Sequence, residues 1–130
     1  MSLIEENGIA LISTTTVDLT DTGATTLFTV PTGFRFVPFA VAMRCGSAAS
    51  TTAVVTFGQV GALTDFLGSQ TMTNLAATYD TVWCVPIPNA TPVKCKSYAA
   101  GTVFQMNVGT ADADGSTDAI ADLFGFLYSV

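Results

Sequence analysis

The chain has 130 residues, 49% of them hydrophobic and only 11% charged, and its net charge of −6 comes from ten acids against four cations. Ordinary soluble domains carry about 25% charged residues, so a surface this poor in ions points to burial in an oligomer or a larger assembly. Yet no apolar run approaches the roughly 20 residues that a membrane-spanning helix needs, and four scattered cations cannot neutralise a phosphate backbone, which excludes direct nucleic-acid binding.

One domain is expected, residues 9–130, preceded by an arm at residues 1–8 that orders only where something ties it down. The arm starts acidic, without the basic-then-apolar pattern of an export signal. Cys45, Cys84 and Cys95 show no C-x-x-C spacing, and with no histidine in the chain no zinc site can be completed. They read as small apolar core residues of a protein made in a reducing cytoplasm, with a Cys84–Cys95 bridge between neighbouring strands as the alternative.

In chain order, residues 9–19 form a long strand, with Ile9, Leu11, Val17 and Leu19 in one phase, before a turn at Asp21-Thr22-Gly23. Residues 26–30 and 34–45 form two strands around a Val30-Pro31-Thr32-Gly33 corner, for which a type I turn is expected. In the second strand Phe34 and Phe36 share a face, but beyond Pro38 the set becomes Val37, Phe39, Val41, Met43 and Cys45. A period-2 pattern that changes parity at a proline predicts a β-bulge.

Residues 53–59 form a short strand in which Gly58 marks a bulge or a close backbone approach. Residues 61–78 are the least strand-like, and the spacing of Leu63, Phe66 and Leu67 suits one helical turn over the core. Strands follow at residues 79–85, 92–98, 102–108 and 120–130. The clearest alternation puts Phe104, Met106 and Val108 inward, and the last strand is apolar on both parities, as a central or contact strand is. About eight short strands with turn residues between them predict an all-β protein, an antiparallel jelly-roll-like β-sandwich with at most one short helical turn.

Without histidine the nucleophilic triads are excluded. Asp65 and Asp80, near strand ends, are the acids that a glycosidase would need, but such acids equally cap turns. The loop Asp112-Ala113-Asp114-Gly115-Ser116-Thr117-Asp118 combines carboxylates with a sharp turn, so Asp112, Asp114 and Asp118 are candidate calcium ligands; a solvated hairpin connection explains the same residues. Tyr79 and Trp83, with Tyr98 and Tyr128, are candidates for stacking on a sugar, or else core and subunit contacts. Leu3, Ile4, Ile9, Leu11, Leu123 and Leu127 are the candidate interface residues. Small Thr, Ala and Ser side chains on the outer faces suit close contact between subunits, and a free monomer with so few lysines would be an aggregation hazard.

Four stretches carry a resemblance: the corner from Thr26 to Gly33 (T-x-x-x-V-P-x-G), Phe57-Gly58, Ala100 to Phe104 (A-G-T-x-F), and the closing Gly125 to Tyr128. Together they resemble small β-sandwich virion proteins of tailed bacteriophages, of the capsid decoration (cement) or head-fibre type. The resemblance implies a non-enzymatic protein on the outer capsid surface, commonly a homotrimer, with the major capsid protein as partner and no cofactor. Its alternatives are a carbohydrate- or receptor-binding module of a virion and a tail or baseplate component.

Overall fold

The computed structural model describes residues 8–87, 90, 94–113 and 118–130. Eight strands follow one another: β1 (Ala10–Asp18), β2 (Gly23–Thr29), β3 (Phe34–Cys45), β4 (Val54–Gln59), β5 (Ala62–Thr71), β6 (Thr81–Cys84), β7 (Val103–Thr110) and β8 (Asp118–Ser129). They form two four-stranded sheets, β1-β8-β3-β6 and β2-β7-β4-β5, with every pairing antiparallel. First pairs with last, second with seventh, third with sixth and fourth with fifth. This is one long hairpin rolled over on itself, the jelly-roll form of the β-sandwich.

The inner faces of the two sheets close on Phe36, Phe57 and Phe104, all fully buried. Phe104 is the hub. Its ring meets Phe36 at 5.9 Å and Phe66 at 5.7 Å, both edge-on, while Phe28 meets Phe36 at 5.1 Å. Edge-to-face rings set the positive rim of one against the negative face of another, so the contacts add direction to burial. Met106 and Val108 lie inward with Phe104, as the alternation predicted.

The parity change in β3 is present. Its register against β8 slips between Pro38 and Ala40, after which Val41, Met43 and Cys45 face the core. Phe39, expected among them, sits at the slip and is half exposed. The corner before β3 differs from the expectation by one residue. Phe34 N–H donates to the Pro31 carbonyl at 3.2 Å, and Gly33 takes φ +84°. Positive φ at the third position makes this a type II turn, which explains why a glycine stands there.

Three expectations are corrected. Residues 62–71 are strand β5, and Phe66 and Leu67 pack on the core from an edge strand with register shifts against β4. Those irregularities break the period of 2 that marks a strand, which left a helix-like spacing in the sequence. Residues 94–98 hold no strand but a single bridge, Tyr98 to Phe36, and Tyr98 is buried. In β1 the register shifts between Leu11 and Ser13, so Ile12 packs on the core and Leu11 turns outward. The expected count of eight therefore holds through two opposite errors.

Gly58 does mark a close approach: a Cβ there would collide with the Ala62 carbonyl and come within 2.7 Å of an Asp65 carboxylate oxygen. That glycine lets β5 fold back against β4, which brings Asp65 into the polar cluster described next.

Candidate functional site

Asp65 ties one end of the sandwich together. It accepts from the Tyr98 hydroxyl at 2.7 Å and from Gln59 Nε2 at 3.0 Å, and Lys96 stands 3.7 Å away. Burial, then the bond to Asp65 and its charge, push the Tyr98 hydroxyl pKa well up, so Tyr98 remains a donor. Asp65 is thereby engaged in structure. Asp80 is engaged likewise, accepting from Ala76 N–H at 3.0 Å and Ala77 N–H at 2.8 Å as a turn cap.

In the acidic loop, Asp112 is 5% exposed, and its Oδ1 accepts from Thr51 Oγ1 at 2.8 Å and Thr51 N–H at 3.1 Å. It braces the β3–β4 connection. Asp114 lies outside the described residues. Asp118 is exposed at the start of β8, directly opposite Asp18 of β1. Among the described residues no three His, Cys, Asp or Glu side chains gather in a metal-binding group.

All three cysteines are free. Cys45 and Cys84 are buried, as expected, but Cys95 is exposed, beside Lys94 and Lys96 in an open depression of about 450 Å³. Burial pushes the Cys84 thiol pKa up to about 12, which makes it inert.

Among the interface candidates, Leu3 and Ile4 lie outside the described residues. Ile9 and Leu11 are about half exposed, and Leu127 is partly buried against the core. Leu123 is fully buried in the chain's own core and has no surface left for a neighbour. It sits on the inner parity of β8, and the outward parity carries Ile120, Asp122, Phe124, Phe126 and Tyr128. Of the stacking candidates, Tyr98 is buried, Trp83 is 58% exposed and Tyr79 is 92% exposed. Tyr79 also takes φ +79°, a left-handed conformation that is costly for a residue with a Cβ.

The feature missed in the sequence is what these outward residues form together. Residues directly opposite on neighbouring strands share a face. On the outer face of the β1-β8-β3-β6 sheet, successive rows therefore carry Arg35 with Tyr128, Val37 with Phe126, Leu11 with Phe124 and Ala40, and Thr14 with Asp122, Ala42 and Trp83. Trp83 of β6 and Phe124 of β8 flank β3, yet their rings meet at 5.5 Å. Only the small side chains at Ala40 and Ala42 leave room for that contact across the intervening strand. The signal was legible: alanines in β3 opposite aromatics on its neighbours.

Within this face a polar cluster is fully paired. Arg44 Nε donates to Asp122 Oδ2 at 2.6 Å, Arg44 Nη2 to Oδ1 at 3.2 Å, and Thr14 Oγ1 to Oδ1 at 2.9 Å. Burial alone would raise the Asp122 carboxyl, but the bonds from Arg44 and Thr14, with the Arg44 charge, outweigh it and hold the pKa below 3.8. The pair reduces the charge of the face while leaving it aromatic.

No protein-family model matches the chain, and comparison with curated proteins finds no relative. Solved structures do resemble it. A chain of the cyanophage Pam1 capsid asymmetric unit aligns with a TM-score of 0.54 at 16% identity, covering 91% of this chain and 84% of that one. A chain of the acidic stable capsid structure of Helicobacter pylori bacteriophage KHP30 aligns at 0.55 and 17% identity, covering 94% and 92%. The likeness is one of fold. It spans nearly the whole sandwich in both cases.

Proposed function

We propose that the chain is a non-enzymatic structural protein of a phage particle, a decoration protein that binds the outer capsid surface as a symmetric oligomer and reinforces the shell. The observation that carries this reading is the near full-length likeness to chains from two phage capsid structures. The broad aromatic sheet face and the 11% charged composition support it, because both suit a protein that works in contact with others. The partner is the major capsid protein. Binding to intact shells but not to dissociated subunits stabilises the shell by mass action.

The test uses particles that lack the protein. Adding the purified chain back should coat them and raise the temperature at which a DNA-binding dye gains access to the genome. Particles that neither bind the chain nor change their rupture temperature would overturn the proposal.

A second reading has one specific observation behind it. Trp83 presents a half-exposed indole beside the Arg44–Asp122 pair, the combination of flat ring and planar polar groups on which sugars stack. Glycan-array binding lost in Trp83→Ala, with the fold intact, would favour a receptor-binding role.

A further inference from the structure

We infer that the outer face of the β1-β8-β3-β6 sheet packs against the same face of a second copy of this chain, antiparallel about a two-fold axis. Three observations lead there, and none depends on the virion reading.

Size comes first. β8 and β3 run 12 residues each, flanked by the 9 residues of β1 and the 4 of β6, so at about 3.4 Å per residue and about 4.8 Å between strands the face covers about 600 Å². Specific, stable interfaces take about 600–1,000 Å² from each partner, so the face is just large enough. The face is largely apolar: Leu11, Trp83, Phe126 and Tyr128 are all more than a third exposed, around Phe124.

Charge selects the occupant. In a chain of net charge −6, the middle of this face holds only the paired Arg44 and Asp122. Like can therefore meet like at the centre without repulsion. A strongly basic partner would gain nothing there.

The ends select the orientation. Arg35 lies at one end, its Nε donating to Ser97 Oγ at 2.8 Å, with Lys94 and Lys96 in the adjoining segment. At the other end Asp18, its carboxylate capped by the Thr20 N–H and hydroxyl, stands opposite the exposed Asp118 on the adjacent strand, so this end is acidic. Ten residues of β8 separate the two ends, about 34 Å. Antiparallel pairing sets the basic end of each copy over the Asp18 and Asp118 carboxylates of the other, so the complementary contact is made twice. A threefold arrangement with parallel strands, as the resemblance to trimeric decoration proteins implied, would instead gather three acidic ends. One self-complementary patch also closes naturally at two copies.

Sedimentation equilibrium of the full chain tests this. The wild type should run at twice the chain mass. Phe126→Ser, a change at an exposed position, should weaken association at least about thirtyfold, as the loss of a central aromatic anchor does. Arg35→Glu should weaken it about fivefold at low salt and hardly at all at high salt, and adding Asp118→Lys should restore it. Circular dichroism confirms that each variant is folded. A wild-type chain that stays monomeric up to about 0.1 mM, a trimer, or a dimer indifferent to Phe126→Ser and to the charge exchange would overturn the inference. Shell binding is measured separately: a monomer that still coats capsids sinks the pairing and spares the proposed function, whereas a dimer that ignores capsids does the reverse.

Discussion

The two sheets of the sandwich are alike inside and unlike outside. Both inner faces bring large apolar residues to one core. The outer face of β2-β7-β4-β5 carries Thr26, Gln105 and Asn107 along its centre, with Gln105 Nε2 donating to Thr26 Oγ1 at 3.4 Å. The outer face of β1-β8-β3-β6 carries Trp83, Phe124, Phe126 and Tyr128 instead. A jelly roll needs only its inner faces to fold, so the outer faces are where a shared architecture can take on different contacts. One sheet is finished with neutral polar groups that water satisfies. Its counterpart leaves aromatic area that solvent cannot, and this asymmetry points to one face for assembly.

The comparison breaks most severely where the two sheets are the same. Phe104→Ala removes the ring that Phe36, Phe66 and Tyr98 all touch. It should cost about 3–5 kcal/mol, the range for deleting a buried aromatic, and is expected to lower the thermal midpoint sharply in a chemical or thermal melt. A loss under about 1 kcal/mol would mean that the core is not arranged around this residue.

Next in size is the tie at the Asp65 end. Asp65→Ala strips the Tyr98 hydroxyl, at a residue only 3% exposed, of its acceptor and frees Lys96 and Gln59 as well. An unsatisfied buried hydroxyl costs about 1–3 kcal/mol, so denaturant titration should show a loss in that range. Tyr98→Phe with Asp65→Ala should recover part of it, since both halves of the bond are then gone.

A third prediction concerns acid. The Asp122 pKa in the folded chain is held below 3.8, so its contribution is complete above the unfolded carboxylate value and is lost as pH falls through the lowered one. Asp122→Asn should therefore cost about 1 kcal/mol near neutrality, less than a buried charged hydrogen bond because the Arg44 side chain is 43% exposed, and almost nothing at the acid extreme. Melts repeated from pH 7 down to pH 2 read the difference directly. Equal destabilisation at every pH would show that the Arg44–Asp122 pair acts by shape alone.

Much of the architecture was legible because its signals were local. Phe104, Met106 and Val108 alternate without interruption, Pro38 announced its own bulge, and a β8 apolar on both parities is a central strand with one face in the core and one turned out. What failed did so where register slips. The irregular β4–β5 pairing disguised β5 as a helical turn, and the shift at Leu11 to Ser13 exchanged Leu11 and Ile12 between faces. Tyr98, offered as a stacking candidate at the end of an expected strand, is buried in a segment that makes one bridge. The outer aromatic face was harder still, since it joins residues from four strands and only the strand order brings Trp83 and Phe124 together. Leu123 and Leu127, offered as interface residues, lie on the inward parity of β8, where Leu123 is fully buried and Leu127 packs on the core.

The smallest expected effect sharpens the comparison most. Gln105→Lys places a charge in the middle of the polar outer face, at a half-buried position whose side chain bonds only across to Thr26 among the described contacts. Surface substitutions away from core, caps and networks stay within about 0.5 kcal/mol, so the melt should be unchanged and the sedimenting mass should be that of the wild type. The same charge set into the other sheet, as Phe126→Lys, should also leave the fold within about 1 kcal/mol, because Phe126 is 37% exposed and outside the core. Its effect should instead appear in association, where a buried unpaired ammonium at the centre of a contact is among the costliest changes an interface can receive. Two substitutions nearly silent in stability and opposite in assembly would show that the sheets differ in what they meet; equal behaviour in both assays would leave the aromatic face as surface without a partner.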